Sequence, residues 1–425
     1  MQFSISSLSV LSLLFFLIIC SLGNVIIQVF SILVFGITMI AFKGINNNKH
    51  FLIFYIVLIL LSFIQLFYFF RLDYSIPYLI NSSLITLMWI LAFLAHNFIT
   101  NNTKNMSVVS IYQVLDLFFI LNALLIAFQY LLVCIEAKTL FPFSVFEFGM
   151  STGDYLRGFF SNSSVNMVVM SFYSAYYFTL KNKEKTFLSI ILVLSTTYMS
   201  GILIAIFIVS IYGFFMFKLK NKFKIIALIT LIYFAFTLIT PENVKYAKSV
   251  LTEKINSKTD PSRKIVSFQQ TASNFVSSFQ SFFIGEGGGK FSSRTAYLTG
   301  GEYVNWFPEK IVYRSEKFEK NHFKLWNFEA LKIAFRDGTA NQPFSFYNKI
   351  VGEYGLVGIL LFVYYIGYFF KRRMSLTYGK IILPLMLGFF VLDYWFEYFT
   401  VILFFELFML TDIKNDKANN ETILE

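Results

Sequence analysis

Charge is scarce in this chain. Asp, Glu, Lys and Arg make up 14% of its 425 residues against 57% apolar residues, too few to solvate the surface of a soluble protein of this length. Cysteine is nearly absent, and Cys20 and Cys134 both stand in or beside apolar runs. Two isolated cysteines there read as small hydrophobes, which leaves disulfide, thiol-redox and zinc-ribbon chemistry without residues. Histidine occurs three times, and no HExxH, paired CxxC, nucleophile elbow or Asp-x-Asp motif is present. The residues therefore give no support to a catalytic metal, and no cofactor is expected. The opening "MQFSISSLSVLSLLFFLIIC" holds no Lys or Arg, so it lacks the basic n-region of a cleavable signal and reads as a retained first span.

What the chain does have is long apolar runs. About 20 apolar residues cross the ~30 Å hydrocarbon layer as a helix, which satisfies its own backbone there. Runs of this kind predict spans near 5–21, 24–42, 51–70, 77–96, 112–134, 162–180, 186–199, 201–217, 225–240, 345–370, 381–395 and 397–411. The fold class expected is an all-α polytopic membrane protein of about twelve helices. Connections on one side hold sixteen Lys or Arg and those on the other only Arg71, Lys138 and Arg157, which puts both termini in the cytoplasm. Two of the spans come from splitting long runs at 195–201 and 392–398. The expected organisation is a bundle at 1–240, an extracytoplasmic, mainly helical cap loop at 241–344, three more spans at 345–411 and a cytoplasmic tail at 412–425. The cap segment carries fifteen basic and ten acidic residues, and connections of that length are rare without a function. No internal repeat relates the two halves, which counts against a repeat-built transporter.

Within the cap, "TDPSRKIVSFQQTASNFVSSFQSFFIGEGGGK" (259–290) stands out. Asp260 and Pro261 have the chemistry of a helix start. Ile265, Phe268, Ala272, Phe275, Phe279 and Phe282 then recur at spacings of three and four, so one amphipathic helix ending at Gly285 is expected. Arg263 and Lys264 fall in its first turn, where the helix dipole disfavours cations unless an anion is near. Two readings stay open for Arg263: a phosphate or pyrophosphate site with the helix amides, or an ordinary solvated arginine. "GEGGGK" fails the P-loop pattern, because Ile284 stands where its first glycine belongs and Phe291 follows the lysine. A tight helix-ending turn explains it better.

Arg157, in "DYLRGFFSNSS", is a second outer cation, either a ligand contact or a snorkelling anchor. Arg294, Arg314 and Arg336 add planar guanidinium donors to the cap, which suit phosphate oxygens. In "YNKIVGEYGLVG", Gly352, Gly355 and Gly358 share one helix face and suggest close helix packing. Lys349 and Glu353 are spaced for a local ion pair, with a catalytic Glu353 as the alternative. Asp393 and Glu397 are expected in a solvated outer turn. His322 is the one histidine of the cap, a weak sign of a base.

Taken in order, these pieces resemble the bacterial O-antigen polymerases of the Wzy type, in a superfamily shared with O-antigen ligases. "RGFFSNSS" is similar to the family's Arg-x-Gly-x-Phe start of a span, carried onto Arg157. "SRKIVSFQQTASNFVSSFQSFFIGEGGG" is similar to its Ser-Arg, helix, Gly-x-Gly loop, carried onto Arg263, and "FSFYNKIVGEYGLVGILLF" to the segment that returns to the membrane. Two departures matter: Phe344-Ser345 stands where the ligases have His-Asn, which tells against the ligase, and "YMSG" replaces a Ser-Arg-Gly of many relatives, so a third expected cation comes from elsewhere or is not needed. The resemblance implies a GT-C-like, metal-independent, inverting glycosyltransferase in a bacterial cytoplasmic membrane. Its substrates would be undecaprenyl-pyrophosphate-linked oligosaccharides, its setting the lipid bilayer, and a chain-length regulator protein a further partner. Nucleic acid is not among the partners expected. Arg157 and Arg263 would grip the pyrophosphate, aided by Lys264, Arg294, Arg314, Arg336 and His322, with Asp337 or Glu353 as base; Trp306, Trp326 and Tyr347 would stack on sugars or else anchor the membrane interface. A ligase, or a flippase for the same lipid-linked sugars, is the alternative.

Overall fold

A computed structural model describes residues 5–46, 48–73, 75–142, 152–216, 219–241, 244–245, 248, 261–302, 307–326 and 342–424. Among them every regular element is helical. We label the principal helices α1 (Ile5–Ser21), α2 (Val25–Lys43), α3 (Lys49–Asp73), α4 (Ile76–Lys104), α5 (Val108–Ala137), α6 (Ser163–Thr179), α7 (Lys183–Ser195), α8 (Met199–Met216), α9 (Leu219–Ile239), α10 (Arg263–Phe275), α11 (Phe279–Phe283), α12 (Arg294–Thr299), α13 (Phe346–Phe370), α14 (Gly379–Phe389) and α15 (Phe399–Leu424). A helix lies at each of the twelve apolar segments. Five of the described helices (Val25–Lys43, Lys49–Arg71, Ile76–Lys104, Val108–Ala137 and Phe346–Phe370) are both long and apolar enough to cross a bilayer. This is an all-α membrane protein. At 13 and 11 residues, α7 and α14 rise only about 20 and 16 Å, less than the hydrocarbon thickness.

The helix ends follow local chemistry. Asn24, Ser75, Ser107, Asn162 and Asn182 each accept a backbone N–H of the first turn of α2, α4, α5, α6 and α7. The bundle interior is aromatic, with close ring pairs such as Phe54–Tyr365 and Phe118–Phe404 at 4.5 and 4.8 Å. One charged knot ties four helices together inside it. Glu406 of α15 accepts Tyr55 and Tyr365 hydroxyls, each at 2.8 Å, and pairs with His96 Nδ1 at 2.8 Å. Cys20 and Cys134 are buried and free.

Three local expectations are corrected. Helix α10 begins at Arg263 rather than at Pro261, with Ser262 in the cap position, and Asp260 lies outside the described residues. The amphipathic helix is also not continuous to Gly285: α10 stops at Phe275, and Ser278 starts α11 afresh by accepting Ser281 N–H at 3.0 Å. Serines at 277 and 278 compete for backbone partners and so break the helix. Third, the glycines of α13 do more than permit close helix packing: a Cβ on Gly355 would lie 2.8 Å from the Phe282 carbonyl oxygen of α11, but the helix also changes course there. Gly355 has φ +58° and ψ −149°, a conformation essentially confined to glycine, and it breaks α13.

The 285–289 loop fills that break. Glu286 and Gly287 N–H groups donate to the Gly352 and Glu353 carbonyls at 2.9 and 3.1 Å, acceptors that an unbroken helix would have used itself. Gln65 of α3 pins the same loop: its Nε2 donates to the Ile284 and Glu353 carbonyls at 2.7 and 2.9 Å, and its Oε1 accepts Gly288 N–H at 3.1 Å. Asn81 of α4 donates to the Gly289 carbonyl at 2.9 Å. A Cβ on Gly288 or Gly289 would lie 2.7 Å from Ile85 or 2.3 Å from Asn81. The glycine cluster is thus a close-approach device as well as a turn.

Candidate functional site

The sequence-predicted site residues separate into three groups. The first gathers in a closed charged network where the cap segment meets α13 and the 393–397 turn. Lys264, in the first turn of α10, points inward: its Nζ donates to the Phe344 carbonyl and, at 2.9 Å, to the Leu392 carbonyl. These carbonyls and the nearby Asp393 supply the negative potential that a cation at a helix N-terminus needs. Burial drops the ammonium from 10.5 to about 7, against the opposing pull of Asp393. Asp393 in turn is pushed up from 3.8 to about 6 by burial, while the Tyr394 N–H and Lys264 pull it back.

Asp393 and Glu397 are each only 5% exposed, which overturns the expectation of a solvated turn. Glu397 accepts Arg294 N–H at 3.0 Å, Thr295 N–H at 3.2 Å and the Thr295 hydroxyl at 3.1 Å, and so caps α12 from across the interface. Lys349 Nζ lies 3.1 Å from the same carboxylate, so its ion pair runs to Glu397 and not along its own helix to Glu353. The Arg294 guanidinium lies 4.2 Å from the Tyr398 ring centroid. Glu353 has no exposed surface. Its Oε1 accepts Phe291 and Ser292 N–H groups at 3.3 and 2.9 Å beneath the glycine loop.

His322, also fully enclosed, belongs to this network. Its Nε2 lies 3.1 Å from the Ser267 carbonyl, which can only accept, so Nε2 carries the proton. Nδ1 then accepts the Ser292 hydroxyl at 2.7 Å, and Ser292 meets Tyr394 Oη at 2.9 Å. Burial pushes this imidazole down to about 3, so it stays neutral. Asn348 joins the layers, donating to Ser267 Oγ at 2.9 Å and accepting Thr271 at 2.9 Å. Lys264, Arg294 and Lys349 face Asp393, Glu397 and Glu353, a formally balanced set. As placed, it holds the cap to the bundle and offers no net charge to an anion.

The second group is the arginines placed elsewhere. Arg314 Nε donates to the Gly300 carbonyl at 2.6 Å, its Nη2 lies 3.2 Å from Glu302, and its guanidinium stacks 4.2 Å over Phe323. It fixes the 300–302 turn. Arg157 is exposed and its guanidinium has no hydrogen bond or ion pair among the described residues. Its turn, by contrast, is held at several points. Gln129 accepts Gly158 N–H at 2.8 Å and donates to the Gly158 carbonyl at 3.1 Å, Asn122 accepts Phe159 N–H at 3.0 Å, and Asn166 donates to the Leu156 carbonyl at 3.0 Å. Arg263 is half-buried at the start of α10. Arg336 and Asp337, the third group, lie outside the described residues, as does Trp306.

The aromatic residues named for sugar stacking are otherwise engaged. Trp326 is 5% exposed among Tyr297 and Phe323, and Tyr347 donates its hydroxyl to the Leu387 carbonyl at 2.8 Å. Sequence reasoning missed Gln65 and Asn81 as anchors of the glycine loop. Their signal was present, since a polar side chain inside an apolar run needs a partner. No family model matches the chain, and no curated protein or solved structure matches it. Among the described residues no group of three or more His, Cys, Asp or Glu is arranged to hold a metal ion.

Proposed function

We propose that this protein is a membrane glycosyltransferase that joins polyprenyl-pyrophosphate-linked oligosaccharide repeat units at the outer face of a bacterial cytoplasmic membrane. The observation that carries the reading is Arg157: an exposed guanidinium with no hydrogen bond or ion pair among the described residues, on a turn whose backbone is clamped by Gln129, Asn122 and Asn166. Such a cation is pre-organised for an anion that the protein itself does not supply. The ordered resemblance around Arg157, Arg263 and the α13 segment supplies the substrate class. In the twelve-span layout with both termini cytoplasmic, Arg157 stands at the outer end of α6.

The reaction follows from charge. The acceptor hydroxyl oxygen attacks the anomeric carbon from the side opposite the pyrophosphate. The bond from that carbon to the pyrophosphate oxygen breaks, and its electron pair leaves with the oxygen. Arg157 and Arg263 stabilise the charge gained there. The hydroxyl proton passes to a base. Glu353 and His322 are covered in the structure; Asp337, the other carboxylate the resemblance offers, lies outside the described residues. An apolar cavity of about 220 Å³ between α6, α7, α8, α9 and α14, lined by Val193, Ile202, Ile206 and Leu385 among others, has the chemistry to take an isoprenoid segment.

The break in α13 favours a second reading, a flippase, because interrupted helices build the central sites of many transporters. Here, however, the freed Gly352 and Glu353 carbonyls are taken by the glycine loop, which counts against an open central site at the break. Purified protein in liposomes with synthetic lipid-linked repeat units tests the choice: lengthened glycan supports the transferase. Unchanged glycan from folded protein overturns it, and translocation without lengthening supports the flippase.

A further inference from the structure

The cap segment is expected to lie outside the bilayer, yet its contacts place part of it lower. Lys49 and Arg71 bracket the apolar stretch of α3, and in the expected layout Arg71 stands at its outer end, near the edge of the hydrocarbon. Gln65 is six residues further in, about 9 Å below Arg71 at the helical rise. It bonds Ile284, Glu353 and Gly288. The tip of the 263–290 segment is therefore at the depth of Gln65. Lys290, on the returning limb, has its ammonium 4.3 and 4.9 Å over the Phe69 and Tyr78 rings, just inside Arg71, as a residue leaving the interface does.

The orientation of the segment agrees with that depth. The buried side of α10 is its polar side, Lys264, Ser267, Thr271 and Asn274. The protein-facing hydroxyls and amides find partners on α13, on His322 and on Glu286. Facing away are Val276, Phe279 and Phe283, 73, 80 and 38% exposed, at and beyond the lower end of α10. In water that arrangement is inverted and unfavourable, since it exposes large apolar groups while burying polar ones. Against acyl chains it is the favourable arrangement. Ser277 and Ser278, exposed beside the aromatics, bond their hydroxyls to the Asn274 carbonyl and to Ser281. The amides of Glu286, Gly287 and Gly288 are all bonded to protein, the condition for non-helical backbone at membrane depth.

We infer that residues 263–290 form a re-entrant hairpin that dips into the outer leaflet, with Val276, Phe279 and Phe283 in contact with lipid acyl chains. Helix α3, which holds the segment through Gln65, also exposes apolar side chains at this level, Phe63, Ile64 and Phe67. Its partner is bilayer lipid, independent of which reaction the protein catalyses.

The test places a tryptophan at the tip. Phe279→Trp and, separately, Val276→Trp are reconstituted in phosphatidylcholine liposomes with and without acyl-chain bromine, and the emission of the parent protein is subtracted. Blue-shifted emission quenched by brominated lipid, and not by aqueous acrylamide, is the expected result for both variants. Quenching by acrylamide without quenching by brominated lipid puts the tip in water and overturns the inference. Protection from both quenchers also overturns it, by showing that a second copy or another protein covers this face. Two positions, one just past the end of α10 and one at the start of α11, keep the test decisive when one variant fails to fold.

Discussion

Lys349 Nζ sits 3.1 Å from Glu397 Oε1, with the two side chains 0 and 3% exposed. The pair joins the first turns of α13 to the 393–397 turn, and through Arg294 and Thr295 it reaches the cap. A buried pair stripped of one partner leaves an uncompensated charge, at a cost of about 3–5 kcal/mol. Lys349→Met is therefore expected to lower the unfolding midpoint sharply in detergent. The double variant Lys349→Met with Glu397→Gln is expected to recover part of that loss. Equal melting of the single and double variants would contradict the coupling.

A second prediction concerns the break in α13. Gly355 has a positive φ, and a Cβ there would lie 2.7 Å from Gly285 N and 2.8 Å from the Phe282 carbonyl. Backbone strain of this kind costs about 1–3 kcal/mol before any clash is counted. Gly355→Ala should destabilise the protein and loosen the glycine loop, seen as faster hydrogen exchange at 285–289. Unchanged exchange would mean that α13 tolerates a continuous course.

The cap network predicts a pH signature. His322 is held down at about 3 from 6.5 by burial, with Lys264 also lowering it. Below pH 6.5 the unfolded chain takes up a proton there that the folded protein refuses, so this contribution is intact above that pH and lost as the pH falls toward 3. Asp393 acts in the opposite sense: its carboxyl is raised from 3.8 to about 6, so its contribution is present below pH 3.8 and lost as the pH rises through 6. The two slopes oppose one another across the acid range. His322→Gln should remove one of them, so the stability gap between wild type and variant narrows on going from about pH 7.5 to pH 4.5. A gap of constant size, followed by thermal unfolding at each pH, would show that the ring is not held neutral.

Much of the helix layout was legible because span length and apolarity are local properties. Helices stand at all twelve apolar segments, and the capping residues Asn162 and Asn182 mark their starts as local chemistry dictates. The site was less legible, because burial of a charge depends on partners distant in sequence. Asp393 and Glu397 look like turn residues until α12 and Lys264, more than a hundred residues upstream, are placed against them. The apolar stripe of α10 is visible in the sequence, but which side faces protein is not. Only the partners of Ser267 and Thr271, Asn348 and His322, reveal that the polar side turns inward. Gln65 in "SFIQLF", His96 in "AFLAHNF" and Glu406 in "LFFELF" were readable as residues needing partners, though not which partners.

Arg157 carries the last prediction. If it grips a diphosphate leaving group, Arg157→Ala should abolish glycan lengthening while expression and melting temperature hold, since the exposed side chain makes no hydrogen bond or ion pair among the described residues. Arg157→Lys should retain a fraction of the activity, because a lysine keeps the charge but not the planar donor pair. The clamped turn gives a control that acts through position alone. Gly158 has φ +60°, and a Cβ there would fall 2.0 Å from Asn122 Oδ1. Gly158→Ala keeps the arginine but displaces the turn that carries it, so activity should fall although Arg157 is still present. Relief of that clash by Asn122→Ala should restore part of the rate. Wild-type activity in Arg157→Ala, measured on lipid-linked repeat units, would remove the arginine from the reaction and with it the main support for the proposed function.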